Sequence, residues 1–296
     1  MTLVAPKTEV SSKRIDEAPA LRTAGRHSRA GLVVRIVVSV VVCLVMIFPF
    51  YVLVLTAFTD TTVFSQQLQL IPRALTLVNY TKVLDAWPVL SWFGNSVIIT
   101  VITTVLTVAF STLAGYAFAK LKFPGAGVLF LALLATMMIP SQATLVPLFR
   151  IVNGMDLVGT FWAVILPGAA GTFGVFLARQ FMLAIPTEVI EAAKIDGAGS
   201  VSIFLRIVLP LSKPLLAVLT LLSVMGQWND FLWPLIVLRD PVLFTLPIGL
   251  QFLKGQYTTD YGALMAMTLL SVAPLVILFL VFQRYFVQGL ATTGIR

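Results

Sequence analysis

Six apolar stretches, each about as long as a bilayer is thick, dominate this sequence. They run near residues 34–58, 92–118, 127–149, 159–183, 214–238 and 262–284. A hydrocarbon core takes about 20 apolar residues of helix to cross. Lipid offers no partner to backbone N–H and C=O groups, so such stretches fold as helices. Only 11% of the residues are charged and mean hydropathy is +1.00, against about 25% charged in a soluble domain. The pattern predicts an all-α, polytopic membrane protein with six transmembrane helices. The first stretch, VVRIVVSVVVCLVMIFPFYVLVLTAF, is too long and too far from the N-terminus for a cleaved signal peptide and reads as a retained span. The third is interrupted at Met137, Met138, Pro140, Ser141 and Gln142, as a kink at a gate or one merely tolerated. The fifth is the least apolar, holding Pro214, Gly226, Gln227, Asn229, Asp230 and Pro234.

Lysine and arginine counts orient the spans. With the N-terminus in the cytoplasm, fifteen of the 20 basic residues fall on inside segments, while the acids divide evenly. Both termini are therefore expected to be cytoplasmic. The net charge of +8 is then mostly a topology signal and not a nucleic-acid footprint. Residues 1–31 mix Pro, Ser, Thr, Gly and both charge signs and read as a disordered basic tail. Residues 32–296 read as the six-span domain. One cysteine, Cys43, and one histidine, His27, exclude an intrachain disulfide and an ordinary zinc site. Nor does the folded part offer a Ser–His–Asp arrangement.

This orientation places EAAKIDGAGSVSIFLRIVLP, residues 191–210, in the cytoplasm between spans four and five. Pro186 breaks the preceding helix, and Thr187 is a candidate N-cap. Glu188 then suits the positive end of the helix dipole. TEVIEAAKID forms one short helix with Val189, Ile190, Ala192 and Ala193 as its apolar side. Gly197 and Gly199 end it, since glycine accepts the left-handed conformation of many helix stops. Ser200 can cap a second helix that Pro210 closes. Helix, tight turn and helix are the expected form, with little side-chain bulk beside the turn.

Glu191-Ala192-Ala193, three intervening residues, Gly197, nine more and then Ile207-x-Leu209-Pro210 resemble, in register, the EAA loop of ATP-binding-cassette importer permeases. Asp196, Ala198, Phe204 and the LPLSKP ending resemble the carbohydrate branch, maltose-type and MalG-like. Asn79–Tyr80, Phe123–Pro124, QWNDFLWPL at 227–235 and FQRYFVQGL at 282–290 agree with it. The likeness covers roughly residues 32–296, with the EAA loop at about 186–213. The ATTGIR tail departs from the branch's usual ending.

What the resemblance implies is a permease subunit in a bacterial or archaeal plasma (inner) membrane. It implies three kinds of partner: a homologous second permease, an ATP-binding-cassette ATPase dimer and an extracytoplasmic sugar-binding protein. The EAA loop would be the coupling helix. Ala192, Ala193 and Gly197 would permit close approach to the ATPase, Glu191 would make a polar contact, and Asp196 would tie the turn or meet the ATPase. Ile207, Leu209 and Pro210 complete the pattern. The chain has no G-x-x-x-x-G-K-[ST] loop, so no cofactor is expected in it, and ATP and magnesium belong to the ATPase. The alternative reading of the segment is a capped hairpin lying on lipid headgroups.

Polar residues inside a span usually face a partner or a water-filled cavity. Gln227, Trp228, Asn229 and Asp230 in the fifth span, with Asn95 at the outer end of the second, are therefore candidates for the solute pathway. Amides and a carboxylate among indoles suit a sugar. Helix–helix hydrogen bonding is the competing account, favoured for Trp233. The outer segments 60–91 and 239–261 either meet a binding protein or cover the outer mouth. A self-sufficient secondary transporter would need intramembrane acids or repeats, and Asp230 is the one acid deep in a span. A permease for a non-sugar solute such as glycerol phosphate is a further alternative. A membrane enzyme would need clustered acids at one face, where Glu188, Glu191 and Asp196 stand.

Overall fold

A computed structural model describes residues 29–60, 74–254 and 260–293. The N-terminal tail through residue 28, part of the first outer segment, residues 255–259 of the second and the last three residues lie outside that description. The chain divides into two compact units, Met1–Phe50 and Tyr51–Arg296.

Every element among the described residues is helical. In order they are α1 (Arg29–Ala57), α2 (Val78–Ala86), α3 (Val89–Lys120), α4 (Ala126–Thr136), α5 (Ser141–Gly154), α6 (Trp162–Ala169), α7 (Thr172–Leu183), α8 (Thr187–Ile195) and α9 (Ser200–Ile203). A π turn (Phe204–Val208), α10 (Leu209–Leu211), α11 (Lys213–Trp228), α12 (Leu232–Val237), a 3-10 turn (Pro241–Leu243), α13 (Leu246–Phe252) and α14 (Tyr261–Thr293) follow. Among the described residues, four helices are long and apolar enough to cross a membrane, with α6 and α7 taken together as one, or up to six if each bent pair is one span.

Three expected spans are not single rods, the fourth pausing at residues 170–171 between α6 and α7. The third breaks between Thr136 and Ser141, where α4 and α5 meet at 105°, far beyond a proline kink. Pro140, extended at ψ 134°, sets the break. The fifth is α11 followed by α12, interrupted at Asn229–Phe231. The last turn of α11 closes there, with Asn229 N–H donating to Met225 O at 3.4 Å and Asp230 N–H to Gln227 O at 3.3 Å.

Helix α3 is the axis of the second unit. One of its faces carries Thr103, Thr107, Ser111 and Gly115, four residues apart and buried. Opposite stand Gly168 of α6, Gly171 just before α7, and Gly174 and Ala178 of α7. A Cβ on Gly174 would collide with Ser111 Oγ, and one on Gly115 would lie 2.5 Å from Ala178 Cβ and 2.9 Å from Arg179 N. Small residues at every turn let two backbones touch, which is how helices associate in lipid.

Two hydrophobic clusters lie at opposite ends of this axis. The one at the N-terminal end of α3, on the side that the basic residues lead one to expect outside, gathers Trp92, Ile99, Val164, Trp228, Trp233, Leu246 and their neighbours. The one at its C-terminal end, on the side expected inside and called the inner cluster on that expectation, gathers Tyr116, Met182, Ile190, Ile203, Phe204, Val208, Leu215 and others. Asn79 has a clear task. Its amide donates to the carbonyls of Thr56, Ala57 and Thr59 at 2.8–3.2 Å, capping the end of α1, while Tyr80 packs on Phe58.

Candidate functional site

The hairpin from Pro186 to Leu211 is built from its two stops. Helix α8 begins at Thr187, with Pro186 in the cap position and no side-chain cap bond. Thr187 is thus the first helical residue and not the expected cap, because Pro186 itself supplies the extended residue before the helix. Glu188 and Lys194 occupy the first and last turns, each on the favourable side of the dipole. At the far end Gly197 takes φ +83°. Its N–H donates to Lys194 O at 3.0 Å, and Ala198 N–H to Ala193 O at 2.9 Å. That pair of bonds is a Schellman motif, and it explains the glycine.

Ile190 is buried and Ala193 half-buried, whereas Val189 and Ala192 are exposed. The expected four-residue apolar side is therefore narrower, because only Ile190 and Ala193, three apart, face the inner cluster. The opposite face presents Val189, Glu191, Ala192, Ile195 and Asp196 to the outside, with Ile195 86% exposed and Val201 beyond the turn 71%.

Gly199 occupies the cap position of the second helix, so Ser200 is its first residue and not its cap. Nor does Pro210 close that helix. It lies within one helical run from Ser200 to Leu211. Proline lacks an N–H and crowds the preceding turn. Widening the turn before it accommodates this, with Leu209 N–H reaching back five residues to Phe204 O. The run ends at buried Ser212, whose Oγ donates to Val208 O at 2.7 Å, and the chain bends by 80° into α11. Ile207 and Leu209 are half-buried and Pro210 is exposed. Ile203, Phe204 and Val208 are the residues that reach the core.

Three spans hold this hairpin. Tyr116 of α3 donates its hydroxyl to Ser200 O at 3.3 Å and packs on Phe204. Lys120 Nζ donates to Ile185 O at 2.7 Å, fixing the entry to α8. Met182 of α7 and Leu215 and Leu219 of α11 complete the cluster. The hairpin is thus packed against α3, α7 and α11.

The candidate pathway residues fall in different places. Gln227 lies against the backbone of Gly168, where a Cβ would stand 2.8 Å from its Nε2. Asn229 is exposed and donates to Met225 O at 2.8 Å. Asp230 is half-buried at the break before α12. Trp228, in contrast, is in the core: its indole N–H donates to Ser271 O at 2.9 Å and its ring meets Phe93 edge-on. Trp233 is a packing residue too, donating to Ala163 O. Asn95 donates to the carbonyls of Val242 and Phe244 at 2.7 and 3.0 Å. With Trp92 Nε1 on Pro241 O and Ser96 Oγ accepting from Leu246 N–H, it latches the outer loop to α3. Sequence reasoning missed this latch. Its signal was Trp, Asn and Ser at i, i+3 and i+4 on one helix face. Among the described residues, no group of three or more His, Cys, Asp or Glu comes together to hold a metal.

Residues 111–292 match the protein family described as the binding-protein-dependent transport system inner membrane component. The chain is 40% identical over 259 residues to the arabinooligosaccharides transport system permease protein AraQ of Halalkalibacterium halodurans, covering 86% of this chain and 93% of that one. It is 36% identical over 198 residues to the lactose transport system permease protein LacG of Rhizobium radiobacter (67% and 72% covered). It is 32% identical over 255 residues to the sn-glycerol-3-phosphate transport system permease protein UgpE of Salmonella typhi (83% and 91%). A chain of a bacterial transporter that imports the acidic polysaccharide alginate has the same fold, with a TM-score of 0.82 at 22% identity over 90% of this chain and 99% of that one.

Proposed function

Because the chain belongs to the family of binding-protein-dependent transport system inner membrane components, we propose that it is the permease half of an ATP-driven importer of a neutral saccharide. It is a multi-pass membrane protein with a permease's role and not an enzyme's. Its finer assignments are ours. The observation that carries them is the anchored hairpin, which shows a small, partly apolar face around Ala192, Ile195 and Gly197 and is tied to three spans behind it. Such a face suits a groove on a separate ATPase, with Glu191 and Asp196 at its rim. Closure of an ATPase dimer on ATP would push α8, and the inner cluster would carry the push into α3, α7 and α11. A second, homologous permease would supply the other half of the pathway, and a binding protein would deliver solute at the outer loops. Both termini would face the cytoplasm. No cofactor is needed in this chain.

Gln227, Asn229 and Asp230 remain the pathway candidates of the fifth span, with Trp228 and Asn95 serving packing and the latch. The sugar class is favoured by the arabinooligosaccharide and lactose relatives. It is also favoured by the buried polar residues among those described, which are Thr, Ser and Asn only. A phosphorylated solute, as named for the third relative, would call for a cation.

The test is affinity purification of the tagged chain from its membrane, with and without Gly197→Val. Nothing lies within 4 Å of a Cβ at Gly197, so the substitution strains only the left-handed turn, by about 1–2 kcal/mol. The unaltered chain is expected to bring down a Walker-motif ATPase and a second permease. The variant is expected to stay in the membrane while losing the ATPase and uptake. Normal uptake by the variant would sink the coupling assignment.

A further inference from the structure

Gln227 is the last residue but one of α11. It stands about 21 Å along the helix from Lys213, well inside a hydrocarbon core about 30 Å thick. Its side chain is placed by packing and not by hydrogen bonds. A Cβ on Gly168 would lie 2.8 Å from Gln227 Nε2 and 3.0 Å from its Oε1. Those near-equal distances mean that the amide lies broadside across the glycine. The same position is 2.9 Å from Thr103 Cγ2, so glycine and methyl together make an apolar shelf for it. The shelf is tied to α3, because Thr107 Oγ1 donates to Gly168 O at 3.3 Å.

No described residue gives the Gln227 amide a hydrogen bond or takes one from it. Gln227 is half-buried, and its amide atoms are not among the sealed polar atoms that lack a partner. The amide is therefore reachable from outside the chain. The helix surface beside it is open: Met225, Gly226 and Asn229 are exposed, and a Cβ on Gly226 would meet nothing within 4 Å. Asn229 turns its own amide back on Met225 O at 2.8 Å, which leaves Gln227 as the wholly free amide of this stretch.

A bare amide is costly in hydrocarbon, and lipid tails cannot answer it. A primary amide sets donors and an acceptor side by side. An anion would answer only the donors, and a cation only the acceptor. Adjacent hydroxyls of a sugar ring answer both, one accepting from Nε2 while its neighbour donates to Oε1. We propose that Gln227 is the side chain on which this permease holds a vicinal diol of a neutral saccharide, and that Gly168 is its positioning residue. A methyl at 168 would push the amide off the shelf, since the end of Gln227 is flexible and Thr103, branched at Cβ, is stiff. The inference rests on the saccharide-importer reading above.

The test uses the assembled transporter in proteoliposomes. Uptake is measured for a panel of neutral di- and trisaccharides, lactose and arabinotriose among them, and then for monodeoxy analogues of the carried sugar. Gln227→Met keeps the bulk on the glycine and removes the amide. It is expected to raise the half-saturating concentration roughly 3- to 10-fold, the loss of one or two hydrogen bonds. It is also expected to erase the penalty that the unaltered transporter shows for two adjacent deoxy positions, which a merely structural role would leave in place. Gly168→Ala is made with Thr103→Ser, which removes the methyl it would otherwise strike. Against Thr103→Ser alone it should match Gln227→Met, and it should add nothing once Gln227→Ala has taken the amide away. A further loss there would overturn the positioning role. Unchanged half-saturation in Gln227→Met, or an undiminished deoxy penalty, overturns the subsite and leaves the amide to water. Loss of the second permease from the purified Gln227→Met complex overturns it too, because a partner subunit then takes the amide. In each of these cases sugar uptake by the unaltered transporter keeps the importer reading. If the unaltered transporter moves no saccharide of the panel, the saccharide reading itself falls, and the diol with it.

Discussion

The α3–α7 seam and the α4–α5 pair are both written in apolar sequence, yet they end in opposite states. Along the seam, a residue at every turn of α3 is buried against glycine or alanine. In α4 no residue is buried and in α5 only Val152 is, while Val128, Met138 and Val146 are 66–85% exposed. Hydropathy tells that a segment leaves water. The size of the residues at every fourth position tells whether another helix of the same chain can come within touching distance. Helix α4, AGVLFLALLAT, scatters its glycine and alanines and repeats none at every fourth position, so it builds no such seam within the chain.

Gly115→Leu should break this contrast most severely. Its side chain would have to displace Ala178 and a backbone nitrogen that cannot move, and such overpacking costs about 1–3 kcal/mol, sometimes more. We expect loss of monodisperse protein in detergent, seen by size-exclusion fluorescence, and a melting temperature near the wild type would undo the seam. Asn95→Ala is next. It frees the carbonyls of Val242 and Phe244 at a cost of about 1–3 kcal/mol, and protease should then cut the outer loop at Pro241–Leu246 many times faster while the rest stays folded. The smallest effect belongs to the other region. Val128→Ala, at a site 74% exposed, should shift the detergent melting of the isolated chain by less than about 0.5 kcal/mol. A larger loss would mean that α4 is held by contacts within the chain.

Much of this was legible in the residues. Runs of apolar sequence gave the spans, because lipid leaves the backbone one choice. Gly197 gave the end of α8, because a left-handed residue there has few other occupants. What stayed hidden depended on partners distant in sequence. Trp228 reads as a pathway residue until Ser271 O is seen to take its N–H, and Asn95 until the loop 147–149 residues away arrives. The caps failed for a local reason: Pro186 and Gly199 each supply the extended residue before a helix, leaving Thr187 and Ser200 one place inside. The 105° break at Met137–Pro140 looks in sequence like a kink, since a single proline does not announce how far the chain will turn.

The π turn at Phe204–Val208 fixes a phase. Ile203 before it, Phe204 at its start and Val208 at its end all enter the inner cluster. Each helical residue advances the chain by about 100°, so a turn closed at five residues instead of four displaces everything beyond it around the axis. Deleting one residue there would swing Leu209 to Ser212, and with them the launch direction of α11, out of alignment with α8. Side chains on the exposed face of the hairpin bear no packing within the chain and are free to vary, but the number of residues between Gly197 and Ser212 is not. That length works as an indexing mark, setting the direction in which the fifth span leaves the hairpin.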